Sequence, residues 1–441
     1  MKHRGRHRRR RRGVALRAVL AGTALALTAA ATVISTSQAG VAADPGALAP
    51  LTSPADTGRL RLQEHLVPGR SLDRLAAAMG RPAGVDAVLR DADRRLREAD
   101  DCSADDRASL PVAPAATRAY CWDPADTAGD WRPASVTTSG DDDGVWGTHR
   151  VILAGWTHSA TAGRPGERGL ARVAFVNADD PARLAYRWVL PVVPVDGGRD
   201  YRGLASGVSG MAWYKDKLLV TTTSGGADAL YVYDLDRIQR TTVDAPAIGR
   251  VPGGWSAGGY DYVLPAVASY RFAAGRCSAS GPPCPGALAL DRGTAPDSLV
   301  AAEWTAPDGD RRARLWRYAF DTDPARPGLL ATDGAGRVDA VEAYRTRAAG
   351  IRGVLSYREA GADRPSWYVG RLPGTQDGHG GLWRQDTERT RETRCGADAS
   401  DRCWARDAGS LSYWRGTGEV WSMSDRMLFA LPLAALDRSL E

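Results

Sequence analysis

Gly254-Trp255-Ser256-Ala257-Gly258 has the G-x-S-x-G spacing of a nucleophilic serine. That chemistry needs an apolar strand before the turn and a helix after it, so that strain lifts the serine out of the backbone. Here Arg-Val-Pro-Gly precedes the match and Gly-Tyr-Asp-Tyr-Val follows it, so a loop runs into a strand and the match is read as fortuitous. Asp141-Asp142-Asp143-Gly144 gathers hard oxygen donors of the kind that hold calcium. The closing bidentate glutamate is missing, so a solvated turn is expected; calcium is the sole cofactor considered and no other metal site is read. A more systematic set stands at or just after the second strand of repeated units: His158, Glu303, Arg371 and Asp425. Two facing carboxylates, such as Glu303 and Asp425, would do glycosidic acid–base work at a separation of about 5–9 Å. Trp156, Trp213, Trp304, Trp414 and Trp421 lie on strands. An indole offers a broad apolar face and one N–H donor, which suits sugar stacking as well as packing between sheets. Trp156, Trp304 and Arg371 are the binding candidates; the catalytic ones are Glu303, Asp425 and His158.

Six cysteines remain: Cys102, Cys121, Cys277, Cys284, Cys395 and Cys403. Six allow fifteen pairings, and proximity favours 102–121, 277–284 and 395–403. Zinc would want closer spacings or clustered histidines, whereas His65, His149, His158 and His379 are scattered. Disulfides that clamp local loops are expected.

These residues must be held by strands. After an irregular stretch at 40–65, apolar residues recur at helical spacing between 71 and 99 (Leu72, Leu75, Met79, then Val85, Val88, Leu89, Leu96), with a break at Pro82–Gly84. Two short helices packed on the edge of the following domain are expected. From Tyr120 onward, short β-type runs broken by Gly, Pro and Asp take over. Residues 207–235 and 408–433 share one order of parts: a small-residue strand, a tight turn, an apolar strand, another turn and an aromatic strand. Residues 350–374 repeat the first two strands, 297–320 the second and third, and 131–158 open the series. Such repeats over some three hundred residues indicate an all-β β-propeller. Inner strands are placed near Trp131, Gly207, Leu264, Gly350 and Gly409, giving five blades, with six as the alternative and a pair of sandwiches as the rival fold. The organisation read is a signal peptide at 1–39, an irregular and helical N-terminal extension at 40–118, and the propeller at 119–441.

The opening MKHRGRHRRRRRG, an Ala/Leu/Val-rich stretch and small residues before Ala39 or Ala43 have the layout of a secretory signal. The chain carries 58 Lys and Arg against 52 Asp and Glu. Cleavage after Ala39 removes nine basic residues and no acid, leaving 49 against 52. The apparent basicity belongs to the signal, so a nucleic-acid partner is excluded on charge. A membrane role remains only through an uncleaved signal anchor. Secretion is expected, by the general or the twin-arginine route.

Tyr120-Cys121-Trp122, WRPASVTT (131–138), VSGMAWYKDKLLVTTT (208–223), YVLPAVASYRF (262–272) and PDSLVAAEW (296–304) resemble a group of exported, largely uncharacterised β-propeller-like proteins of high-GC Gram-positive bacteria. The likeness covers about residues 118–435. That group typically carries Pro-Gln-Gly in the first inner strand, where this chain has Pro133-Ala134-Ser135. The resemblance implies a propeller and an extracellular location, and carries no activity.

Three function classes follow. The first is extracellular binding or scaffolding, with a cell-envelope or environmental glycan as partner. The second is a carbohydrate-active hydrolase or lyase using carboxylates at the central channel. The third is a platform for another exported protein. The sequence does not decide whether the chain is an enzyme.

Overall fold

The computed structural model describes residues 44–440 apart from 128, 142–143, 162–165, 223–227, 279, 308, 310, 360, 374–377 and 398–399. The expected signal at 1–39, and Asp142 and Asp143 of the acidic turn, lie outside the described residues.

Runs of β-branched and aromatic residues between Gly, Pro and Asp turns form the strands. Five short ones come first: β1 (Ala49–Pro50), β2 (Leu62–Leu66), β3 (Arg94–Arg95), β4 (Arg97–Glu98) and β5 (Arg118–Cys121). Blade 1 follows, with β6 (Trp131–Thr138), β7 (Val151–His158), β8 (Ala171–Asn177) and β9 (Ala185–Val195), to which β10 (Asp200–Gly203) adds a hairpin. Blade 2 is β11 (Met211–Tyr214), β12 (Lys217–Thr221), β13 (Asp228–Asp234) and the long β17 (Tyr262–Phe272). Between the last two lie β14 (Gln239–Arg240), β15 (Ile248–Val251) and β16 (Gly254–Ala257). Blade 3 is β18 (Pro285–Asp291), β19 (Ser298–Glu303), β20 (Ala313–Ala319) and, after β21 (Arg337–Val338), β22 (Glu342–Thr346). Blade 4 is β23 (Ile351–Tyr357), β24 (Ser366–Arg371), β25 (Gly381–Gln385) and β26 (Thr390–Glu392). Blade 5 is β27 (Gly409–Trp414), β28 (Glu419–Met423) and β29 (Met427–Pro432), and its fourth strand is β5, from the other end of the chain.

The inner strands adjoin in a closed ring: β6 meets β11, then β18, β23 and β27 follow in turn, and β27 returns to β6. The chain is a five-bladed β-propeller. Pairing of Met427 with Cys121 and Ala430 with Arg118 closes the ring. Small residues let the inner strands meet. A Cβ on Gly210 would lie 2.5 Å from the Leu288 nitrogen, and one on Gly409 would lie 2.2 Å from the Ala134 carbonyl oxygen.

The third inner strand is a correction. Leu264 belongs to β17, the outer strand of blade 2, and blade 3 starts its inner strand at Pro285. The reason is burial on both sides. β17 lies between β13 and β2, and its Val263 also runs parallel to Leu190 of β9. A strand enclosed in this way reads as apolar as an innermost one.

The leader is a belt rather than an appendage. Gln385 of blade 4 donates from Nε2 to the Gly46 carbonyl (2.6 Å), and β1 pairs with β22 of blade 3. Then β2 pairs with β17 of blade 2, β3 with β9 of blade 1, and β4 with β5 of blade 5. Each contact covers an outer edge that would otherwise present unpaired backbone groups. The two expected helices are α1 (Gly69–Met79) and α2 (Gly84–Arg90). Val85, Val88 and Leu89 enter the main core with Phe175, Val189 and Tyr233. Leu96 falls beyond α2, because the chain there turns to strand and covers two blade edges. Burial of each such side chain contributes about 1.5–3 kcal/mol.

The three disulfides are Cys102–Cys121, Cys277–Cys284 and Cys395–Cys403, the pairing expected from proximity. Among the described residues no helix is long and apolar enough to cross a membrane.

Candidate functional site

The inner strands carry bulges where they begin. In blade 4, Ile351 faces Arg371 and Gly353 faces Gly370, so Arg352 is one residue too many for the ladder. Ala134 has this place in blade 1 and Gly286 in blade 3. In blade 5 the extra residue lies within Ser410–Leu411. Blade 2 has Ser209 at the matching position, one before Gly210, whose carbonyl accepts the Thr221 N–H at 2.9 Å. A bulge re-aims its extra side chain out of the strand's alternation. All five lie at one mouth of the channel, and Arg352 is the only charged residue among them.

Arg352 sits between its two neighbouring blades. Its guanidinium carbon lies 5.6 Å from the centre of the Trp304 ring of blade 3. The charge of Asp407, in the turn before β27, draws the guanidinium pKa up while burial draws it down. Burial wins, and the pKa falls below the usual arginine value, although an arginine stays cationic at any physiological pH. The side chain as a whole keeps partial solvent exposure. Among the described residues Arg352 has no hydrogen-bond or ion-pair partner, and its Nε is buried without one. A desolvated charge without a partner is costly, which is why such groups are rare outside functional sites.

Among the described residues, two further polar groups at this mouth are unsatisfied. Ser410 is 1 % exposed and its Oγ has no hydrogen-bond partner. Its backbone has φ of 65° and abuts Gly353. Asp425 follows β28, and its N–H donates to the Arg406 carbonyl at 3.3 Å, tying it to the turn that carries Asp407. Burial, and then the charge of Asp407, push the Asp425 carboxyl above the ordinary aspartate value. One of its oxygens lies 3.6 Å from Arg426 and the other has no partner.

The residues singled out from sequence are in different states. Glu303 is fully buried, and Arg314 grips it through Nε at 2.7 Å and a terminal nitrogen at 3.0 Å, with Arg311 closing on the same carboxylate. His158 is buried beside Trp131, and its Nδ1 donates to the Ser159 carbonyl at 2.9 Å. Arg371 lies over Trp383 at 5.1 Å and donates to the Leu372 carbonyl at 3.2 Å. Trp156 is wholly buried among Trp122 and Trp188, so its faces serve packing. Trp304 is partly exposed beside Arg352. Ser256 is buried, and its Oγ donates to the Ala245 carbonyl at 2.6 Å. Asp141 is buried as well, accepting from Thr137 at 2.6 Å and Ser412 at 2.8 Å. Asp216, Asp234 and Asp236 converge elsewhere, but Lys217 lies among them and pairs with two of the three.

Arg352 was not singled out from sequence, although a signal existed. The repeat unit GVSGMAWY at 207–214 aligns with GIRGVLSY at 350–357, and its third position changes from Ser209 to Arg352. A repeat that places one large cation where its sister has a hydroxyl marks the departure.

No protein-family model matches the chain, and no curated protein does. Among solved structures, Drosophila Plexin A in complex with Semaphorin 1b is 11% identical over 64% of this chain and 71% of its own, with a TM-score of 0.26. A gluconolactonase from Xanthomonas campestris is 11% identical over 78% of this chain and 95% of its own, at 0.28. Trypanosoma rangeli sialidase in complex with the inhibitor DANA is 11% identical over 69% and 56%, at 0.31. No residue role passes from any of them to this chain.

Proposed function

We propose that this propeller is an extracellular binding protein whose channel mouth takes an acidic saccharide. The observation that supports it is Arg352, a partly exposed cation at the channel mouth with no hydrogen-bond or ion-pair partner among the described residues. A carboxylate would complete it with a charge-assisted, bidentate contact. The partly exposed Trp304 ring lies beside it, and Asp407 and the free oxygen of Asp425 are acceptors for hydroxyl donors. An acidic sugar carries an anion, hydroxyl donors and an apolar ring face together. Three disulfides suit an oxidising compartment, in keeping with export and with the likeness to exported propellers. The large apolar side chains exposed among the described residues are Leu66, Val112, Val145 and Val341, from four separate segments, which gives a protein platform little support.

The test is calorimetry of the mature domain with glucuronate, galacturonate, oligogalacturonate and their neutral counterparts. An acidic ligand should bind, and Arg352→Ala should weaken it by about tenfold or more. Absence of binding by every acidic probe, or equal binding by Arg352→Ala, overturns the reading.

A second reading is a carbohydrate-active hydrolase or lyase. The neighbouring carboxyls of Asp425 and Asp407 support it: burial and the charge of Asp407 raise the Asp425 carboxyl above the ordinary aspartate value, and acid–base catalysis draws on carboxyls set in different environments. Release of reducing sugar that Asp425→Asn abolishes would favour this reading over binding alone.

A further inference from the structure

A second cleft, of about 270 Å³, opens beside blade 1, between β6 and the Gly258–Asp261 segment. Its floor is braced. The Arg172 guanidinium lies 4.2 Å from the Trp131 ring centre and 3.7 Å from that of Trp188, and Tyr260 hydrogen-bonds to it. Asp126 lies 3.5 Å from Arg172 and accepts from Trp188 Nε1 at 3.0 Å and the Tyr186 hydroxyl at 2.6 Å. These groups hold one another in place.

One group stands outside this network. Glu167 lines the cleft and is partly buried, and its carboxylate has no hydrogen-bond or ion-pair partner among the described residues. Its charge is felt by Tyr260. At the rim, a Cβ on Gly259 would meet nothing within 4 Å, so the entrance is open.

Charge decides what class of ligand fits. Arg94 and Arg172 are compensated by Asp126, and Arg187 by Asp93 at 2.6 Å and by Asp261. With Glu167, three guanidiniums face four carboxylates, so the cleft has no surplus cation to draw an anion. What it offers is aromatic carbon, fixed walls and one free acceptor. A neutral pyranose supplies the complement, with C–H faces for the rings and a hydroxyl to donate to Glu167. The volume lies just under the usual range of about 300–1,000 Å³ for small-molecule pockets, which suits a ring-sized unit.

We propose that this cleft is a saccharide subsite for a neutral hydroxylated ring, held against Trp131 and Tyr260 and hydrogen-bonded to Glu167. It does not depend on the reading of Arg352, and its ligand is neutral where that one is acidic.

The experiment uses the mature protein with neutral hexasaccharides of glucose, xylose and N-acetylglucosamine, read by calorimetry and saturation-transfer NMR. At least one should bind at millimolar concentration or better. Glu167→Gln should weaken it by about tenfold, the range for a hydrogen bond to a charged acceptor. Trp131→Phe should also weaken it, and Arg352→Ala should leave it unchanged. The Glu167 side chain makes no hydrogen bond or ion pair among the described residues, so its variant reports on the cleft even if Trp131→Phe fails to fold. Lack of binding by all the hexasaccharides, or wild-type affinity in Glu167→Gln, overturns the proposal. Loss of binding in Arg352→Ala with Glu167→Gln unaffected moves the neutral sugar to the channel mouth and also overturns it.

Discussion

Blades 3 and 4 meet along one interface and treat their arginines in opposite ways. In blade 3, Arg317 is 3% exposed and donates to Asp291 at 2.7 Å, to Glu342 at 2.7 Å and to Ser356 of blade 4 at 3.0 Å. Arg314, a few residues earlier on the same strand, is clamped on Glu303. Across the interface, Arg352 has none of these contacts. The blade 3 arginines are tied to acids in the fold, which makes them braces between sheets. Arg352 makes no such tie among the described residues.

Four substitutions would break or sharpen this contrast. Arg317→Ala should act most strongly, because it leaves Asp291 buried without its cation; a loss of about 3–5 kcal/mol is expected in denaturant unfolding. Replacing Cys102 and Cys121 by serine frees the junction where the belt meets blade 5, and the loop-closure model gives a loss of about 3 kcal/mol in the same measurement. Arg352→Met should change stability by less than about 1 kcal/mol, since no partner is orphaned. If it destabilises as much as Arg317→Ala, Arg352 is a brace like the others. The smallest effect concerns pH. Asp425 has a folded pKa above its ordinary 3.8, so the fold disfavours its charged form. That penalty is absent below the ordinary value and complete above the raised one. Asp425→Asn should therefore raise the melting temperature at neutral pH, and the gain should vanish as pH falls through about 3.9. A gain that persists in acid would locate the effect elsewhere.

Much of the fold was legible in the chain. The repeat at 207–235 and 408–433 is three consecutive strands of a blade in both places, and the bulges begin where Gly350 and Gly409 marked inner strands. The error at Leu264 has a physical basis, because hydrophobicity reports burial, and the outer strand β17 is buried by elements from other blades. The belt was illegible for a related reason. Strands of two residues, such as β1 and β3, have no periodicity, and they exist because an edge elsewhere needs a partner.

The candidate site divides along the same line. His158, Glu303, Arg371 and Asp425 follow second strands, and antiparallel register brings such positions to the same end of the channel whatever their chemistry. Sequence alone determined that placement, the local disulfides and the concentration of excess positive charge in residues 1–39. It did not determine which charges were satisfied. Glu303 is enclosed by Arg311 and Arg314, while Arg352, on the neighbouring blade, makes no ion pair among the described residues. Local sequence sets strand, turn and spacing through backbone geometry. Whether a charge meets its partner depends on residues distant in the chain, and only the closed ring brings them together.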